Sequence, residues 1–350
     1  MALTHARIVG SGLIGTSIGL ALTAKGIAVT MVDIDEHSAA LAQDLIGKSP
    51  VEGHPDVTII ASPISTISQV IKQEIEQGLN FGFIDISSVK NKPVLDVQAT
   101  GFDMSKFLPT HPMAGREVGG AESARADLFQ GRPWAMDTSG VSSELIAIGR
   151  ELVDACGGHL LEISSPEHDR AVALVSHLPQ ILSSALAAQL EGAPAQWLDL
   201  AGSGLRDTTR IAGSNPALWR EIVTANKEAL EPLLDRVIEN LQELRHGISD
   251  EKVVEDFIKN GNRGRSMIPG KHGGVARNYT FLPVVIEDKA GQLAALFDEC
   301  ASAQVNVEDL SIEHSPEQYT GLITLALSPS DAEKLYQHLL QRGWKAHSPR

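Results

Sequence analysis

Cysteine is nearly missing from this chain: 350 residues contain only Cys156 and Cys300. The two lie far apart without metal-like spacing, which excludes a disulfide framework and suits a reducing, cytoplasmic setting. Apolar runs stay short of the roughly 18 residues a membrane span needs, so no membrane association is expected. A strand begins soon after Met1, so no signal peptide is expected. Positive charge is also scarce, with 29 Lys and Arg against 44 Asp and Glu, a formal net charge of −15. That balance repels polyanions, so a nucleic-acid partner is not expected, and any anionic substrate must be held by local arginines. Lysine is absent between Lys106 and Lys227. Among the 12 histidines no HxH or HxxxH spacing accompanies a carboxylate cluster, so no metal site is expected.

What is present reads as a globular chain, with 43% hydrophobic and 21% charged residues, long enough for two or three domains. Arg7-Ile8-Val9 runs as a strand into Gly10-Ser11-Gly12-Leu13-Ile14-Gly15, and a helix follows. Strand, glycine turn and helix in that order form a dinucleotide fingerprint: the glycines close the turn and let a pyrophosphate approach a helix N-terminus. A second strand, Ala28 to Val32, ends at Asp33, about 20 residues beyond the glycines, where a carboxylate can accept hydrogen bonds from the ribose hydroxyls. Asp33 would repel a 2′-phosphate, so NAD is expected as cofactor rather than NADP. Between Asp33 and the next strand, Val57 to Ala61, little chain is left for the third strand of a full βαβαβ half, so the adenine side is expected to be trimmed.

Ser62-Pro63 closes that next strand and places its loop against the cofactor. Phe83 to Ile86 forms a further buried strand ending in Ser87-Ser88-Val89-Lys90, and Phe107-Leu108 leads to Thr110-His111-Pro112-Met113-Ala114-Gly115-Arg116-Glu117. His111 is expected on the loop after that strand, beside Ser88 at the end of a neighbouring one. An imidazole titrating near neutrality can take a proton from a substrate hydroxyl while the cofactor takes a hydride. The plainer alternatives are a turn for His111 and a helix N-cap for Ser88.

From Pro166 apolar residues recur at helical spacing, and no strand signal returns until about residue 280. His177 and Gln180 share one helix face, with Pro179 expected to kink it. Gly202 to Arg210 reads either as an interhelical loop or as a carboxylate-binding segment, since Arg210 offers a bidentate fork. Trp219 to Gly247 is one long amphipathic segment with a stripe broad enough to pack a second subunit, so a homodimer is expected. Residues 259–277, rich in Gly and basic residues, read as a linker. Beyond it the order βαββαβ fits a small ferredoxin-like unit. The expected organisation is therefore a Rossmann-type parallel-sheet domain over 1–164, an all-helical domain over 165–258, the linker, and an α+β unit over 278–350.

Taken together, Gly-Leu-Ile-Gly in the first turn, Ser88-Val89-Lys90, His111-Pro112-Met113-Ala114-Gly115 with Glu117, Ser176-His177-Leu178-Pro179, and Asp207-Thr208-Thr209-Arg210 followed by Trp219 resemble the prephenate/arogenate dehydrogenase family. That resemblance implies oxidative decarboxylation of prephenate, or of its amino analogue arogenate, with His111 accepting the ring-hydroxyl proton and Ser88 bonded to both. It also implies Arg210 on a substrate carboxylate, Glu117 at the mouth of the site, Trp219 as a wall and His177 on the substrate side. Gln180 stands where many relatives have a second His, which bears on prephenate against arogenate. Glu287-Asp288-Lys289-Ala290-Gly291-Gln292 with Val305-Asn306-Val307 resembles the ACT domain, which implies an amino-acid effector, naturally tyrosine, near Asp288, Gly291 and Asn306; Ala290 replaces the usual Pro there. Two rival readings are a 3-hydroxy-acid dehydrogenase, disfavoured because its general-base Lys is absent, and a non-catalytic regulator responsive to NAD and an amino acid.

Overall fold

Short apolar strands alternating with helices become, in the computed structural model, an open sheet whose strand ends carry the chemistry. The structure describes residues 3–47, 53–116, 118–268, 279–314 and 319–350. The chain divides into two compact units, Met1–Glu239 and Asn240–Arg350.

In the first unit the chain runs β1 (His5–Val9), α1 (Leu13–Ala24), β2 (Ala28–Val32), α2 (Glu36–Leu45), β3 (Val57–Ile60), α3 (Ile67–Glu76), β4 (Phe83–Asp85), α4 (Asn91–Ala99), β5 (Phe107–Pro112), β6 (Pro133–Met136), α5 (Ser143–Ala155) and β7 (His159–Glu162). The seven strands are ordered β2-β1-β3-β4-β5-β6-β7. β1 to β5 pair in parallel, β6 turns antiparallel against β5, and β7 is parallel to β6. β3, β4 and β5 are buried along their whole length, as the central strands of a sheet covered on both faces must be. Among the described residues β2 forms the edge, so the strand for which the sequence leaves little room on the adenine side is not found in the sheet. The chain leaves β1 for β2 on one side and β3 on the other; that reversal opens a crevice at the strands' carboxyl ends.

The helical part of this unit runs α6 (Ser165–Val172), a π-helical turn over Ala173–His177, α7 (Leu178–Ala188), α8 (Ala195–Leu198), α9 (Ser203–Thr209), a 3₁₀ turn over Arg210–Gly213, α10 (Pro216–Ala225) and the first part of α11 (Lys227–His246), within which the unit ends. Pro179 cannot donate to the carbonyl four residues back, and the π turn just before it is where the helix absorbs that loss. From Ser165 to Ala188 the helical run is long and apolar enough to cross a membrane. This corrects the expectation that no apolar stretch reaches that length: Pro179 and isolated polar residues divide the pattern in the sequence without ending the helix. Leu174, Val175, Leu182 and Leu186 on it are exposed.

Two local readings also change. Gly202 to Arg210 is helical for Ser203–Thr209 rather than a loop. The long segment after Trp219 breaks at Asn226, whose φ of −109° and ψ of 23° end α10. Asn226 is buried and donates to the backbone oxygen of Asp169 at 2.8 Å, so the break is held by a specific tertiary bond that amphipathic periodicity does not reveal.

In the second unit α12 (Glu251–Ser266) is capped by Asp250 and braced by Lys252–Asp256 and Lys259–Glu255 pairs one turn apart. The expected linker from 259 is therefore helical as far as Ser266; its glycines, Gly261 and Gly264, are tolerated on an exposed face. Its residues 269–277 lie outside those described. β8 (Thr280–Glu287), α13 (Gln292–Ser302), β9 (Asp309–His314), β10 (Thr320–Leu327), α14 (Pro329–Gln341) and β11 (Lys345–Ala346) then form an antiparallel sheet of order β11-β8-β10-β9 with its own core, the ferredoxin-like arrangement read from the sequence.

Candidate active site

The glycine turn is built as its residues dictate. Gly10 has φ +112°, and a Cβ there would lie 2.5 Å from the Ala61 backbone. Gly15 packs so tightly that a Cβ would sit 2.0 Å from the Gly10 carbonyl oxygen, whereas a Cβ on Gly12, at the head of α1, would meet nothing within 4 Å. The Ser11 N–H donates to Asp33 at 2.7 Å and the Asp35 N–H to its other oxygen at 3.0 Å. Asp33 is thereby fixed at the rim of the turn, with lone pairs left for further donors. Next to it Ile34 stands fully exposed, an apolar side chain at the sheet edge to which sequence reasoning gave no role.

Across the switch point a cavity of about 350 Å³ is lined by Ile14, Ser62, Pro63, Ser87, Ser88 and Leu218, among others. Ile14 belongs to the glycine turn, Ser62 and Pro63 to the end of β3, Ser88 to the end of β4, and Leu218 to α10. Ile222 of α10 packs with Ile64 and Val89, with Trp219 beside them, so the helical segment closes over the strand ends.

His111 lies inside β5, not on the loop after it: its backbone pairs with Ala135 of β6, because an antiparallel neighbour extends the ladder past the sheet's centre. It is 9% exposed. Its Nδ1 lies 2.9 Å from His168 Nε2, and His168 Nδ1 lies 2.8 Å from Asp169 Oδ1. The Asp169 carboxylate also accepts the Lys90 and Asn91 N–H groups, each at 2.8 Å, which anchors it on the N-terminus of α4 where negative charge is favoured. The Lys90 ammonium is buried against Asp85 and donates to Ser87 Oγ at 3.1 Å. Burial pushes His111 well below its ordinary 6.5, and nearby His168, Lys90 and His177 push it the same way. A neutral imidazole ready to accept a proton is the consequence.

His177 ends the π turn. Its Nδ1 faces the Asn226 side-chain amide at 3.1 Å, and its ring meets Trp219 edge to face at 5.9 Å. Burial takes its pKa down to about 4, against the opposing pull of Asp169. Gln180 is buried, donating to the Ile211 carbonyl at 3.0 Å and accepting from Ser214 Oγ at 3.3 Å, so it holds the turn that begins with Arg210. Arg210 itself is exposed.

The structure thus gathers His111, His177 and Trp219 around one buried polar cluster and puts Ser62, Pro63 and Ser88 on the adjacent cavity. The expected Ser88–His111 hydrogen bond is not formed: His111 bonds His168 through Nδ1, and Ser88 lines the cavity. Glu117 lies outside the described residues. His168, Asp169 and Asn226 were missed, and Lys90 was quoted without a role. The signal available was Asp169 itself, a carboxylate two turns before His177. In the second unit Asp288 and Gly291 are exposed at the β8–α13 turn, with Gly291 at φ +88°, and Asn306 bonds Glu308 at 2.9 Å.

Comparison with known proteins decides among the dehydrogenase readings. A model of the prephenate dehydrogenase nucleotide-binding domain matches residues 18–162, and one of the prephenate dehydrogenase dimerization domain matches 164–260. The chain belongs to the prephenate dehydrogenase family. It is 31% identical to a probable prephenate dehydrogenase of Streptomyces niveus over 98% of this chain and 99% of that one. Among solved structures, prephenate dehydrogenase from Aquifex aeolicus in complex with hydroxyphenyl propionate and NAD+ is 26% identical, with a TM-score of 0.66, covering 76% of this chain and 98% of that one. Synechocystis arogenate dehydrogenase, also 26% identical, has a TM-score of 0.61 over 75% and 98%. The second of these matches ends at residue 260, before the α+β unit.

Membership in this family gives the glycine turn its ligand class, and its local geometry fits. Space is open above Gly12, the Ser11 hydroxyl is buried without a partner, and Asp33 and Ile34 stand at the rim of the turn. Two substitutions separate the cradle from the scaffold. Gly12→Ala should leave the melting temperature unchanged and raise the NAD Kd roughly tenfold or more, about 1.4 kcal/mol. Gly15→Ala should damage both, because its Cβ meets backbone. Equal thermal losses in both, measured by calorimetry and NAD titration, would contradict this assignment.

Proposed function

We propose that the protein catalyses NAD-dependent oxidative decarboxylation of prephenate to 4-hydroxyphenylpyruvate, a step toward tyrosine. The observation that carries this reading is His111, buried near the carboxyl end of β5 and hydrogen-bonded through Nδ1 to His168. NAD, held by the Gly10–Gly15 turn and Asp33, supplies the hydride acceptor. His111 takes the proton of the ring hydroxyl as the hydride leaves the same carbon. Loss of the ring carboxylate as carbon dioxide leaves its electron pair in the ring, which becomes aromatic, and His111 returns the proton to the phenolate oxygen. The proton is therefore borrowed and not released.

Ser88, on the cavity wall, bonds the substrate hydroxyl. Arg210 takes a substrate carboxylate, as a dianion bound to an acidic protein requires, and Gln180 sets the turn that presents it. His177 and Trp219 form the wall on the helical side. Exposed Leu174, Val175, Leu182 and Leu186 support a homodimer through this helix, in keeping with the matched dimerization domain. The α+β unit serves as an ACT-like regulatory module that takes tyrosine near Asp288, Gly291 and Asn306.

Conversion assays with product identification test this reading. Prephenate and NAD should give NADH, carbon dioxide and 4-hydroxyphenylpyruvate in equal amounts, with NADP a poorer acceptor, and tyrosine should lower the rate. Preference for arogenate would move the substrate and keep the mechanism. Unchanged rates in saturating tyrosine, with no heat of binding, would remove the regulatory assignment. No turnover of either ring acid would leave only a non-catalytic cofactor-binding protein.

A further inference from the structure

Three groups form a chain that no part of the overall reaction requires: His111, His168 and Asp169, linked at 2.9 and 2.8 Å. A carboxylate can only accept, so His168 Nδ1 carries a proton toward Asp169. With its one proton on Nδ1, His168 offers Nε2 as an acceptor, and His111 Nδ1 donates to it. That leaves His111 Nε2 bare. We infer that His168 and Asp169 are positioning residues that fix His111 as the Nδ1–H tautomer, so that Nε2 alone is the base. The inference rests on the dehydrogenase reading for its catalytic consequence but not for the tautomer itself.

The arrangement is over-determined for this purpose. Asp169 is 4% and His168 2% exposed, and the carboxylate is locked by two backbone N–H groups of the α4 N-terminus and by no side-chain cation of its own. The charged and titratable groups facing His111 are His168 and Asp169 from α6, His177 from the π turn, and Lys90, paired with Asp85, from the end of β4. When His111 accepts the hydroxyl proton, positive charge appears beside His168. His168 Nε2 accepts a hydrogen bond from the new imidazolium, and Asp169 lies beyond it, so the protonated ring keeps its orientation within the site. Because the proton goes back to the phenolate, no route to solvent is needed, which is consistent with a dyad that ends on anchored backbone N–H groups.

The test contrasts two side chains of similar bulk. His168→Met removes the acceptor and should lower kcat roughly 100-fold with KM nearly unchanged. His168→Gln offers a carbonyl oxygen to the same Nδ1–H and should recover to within about tenfold of wild type. A packing role for His168 would treat the two alike. Nitrogen NMR of the resting wild-type protein reads the tautomer directly and needs no substrate: His111 should carry its proton on Nδ1. A proton on Nε2, a His168→Met enzyme as fast as wild type, or a His168→Gln enzyme as slow as His168→Met would each overturn the inference. Should wild type turn over neither ring acid, the proposed function fails, and the NMR result still decides the tautomer.

Discussion

His111→Asn should lower kcat by roughly 10³–10⁴-fold while leaving the prephenate KM within a few-fold of wild type. General bases contribute about 10²–10⁴ to a rate, and the upper part of that range applies because no described side chain can replace this one: His168 is bonded away from the substrate, His177 Nδ1 is taken by Asn226, and the segment from 107 to 226 has no lysine. Asparagine can donate to His168 Nε2 as His111 Nδ1 does, so the cluster should keep its shape. Its amide cannot take a proton at neutral pH. NAD affinity should be unaltered, since the Gly10–Gly15 turn belongs to β1 and α1. Steady-state kinetics with NAD titration separates the cases: a fall in kcat/KM through KM alone would mean that His111 binds substrate without acting on the transition state.

Lys90→Met should destabilise the fold by about 3–5 kcal/mol, the scale seen when one partner of a buried ion pair is removed. Lys90 and Asp85 are 2% and 0% exposed on their side chains, so the carboxylate left behind has no water to replace the ammonium. Asp85 keeps the Ser87 N–H at 2.8 Å and Ser87 Oγ at 3.1 Å, which is too little for a full charge. Adding Asp85→Asn should therefore recover part of the loss. Denaturant melts of the single and double variants measure this; a double variant no better than Lys90→Met would show that the methionine disturbs packing instead. Burial lowers the Lys90 pKa and Asp85 opposes that shift. Where the fold survives, loss of the Lys90 charge should let the His111 pKa rise toward its ordinary value, because that charge is one of the groups holding it down.

Features carried by contiguous residues were legible in the sequence. The glycine turn, Asp33, the trimmed adenine side and the βαββαβ order of the last unit follow from local spacing, and each appears in the fold. His111 was legible as a residue but not in its setting. Its partner His168 is 57 positions away and Lys90 is 79 from Asp169, and nothing in local pattern marks such pairs. The Ser88–His111 bond is absent although strand order puts the two side by side; the partner that His111 does bond, His168, is one the sequence did not mark. Gly202–Arg210 and the start of the supposed linker were misread on their glycine and polar composition; in the second case the Asp250 cap and the one-turn ion pairs that sustain the helix outweigh it.

The most direct measurement of the central claim is the pH dependence of kcat/KM for prephenate with saturating NAD. The base must be unprotonated to act. Its pKa is lowered by burial and by His168, Lys90 and His177, so protonation sets in only far below 6.5. Activity should therefore stay level as pH falls from 8 through about 6 and drop only at more acid values, and His111→Asn should abolish that limb along with the rate. An acid limb at an ordinary imidazole value, or a limb that persists in His111→Asn, would mean that the proton is taken by another group and that His111 is not the base.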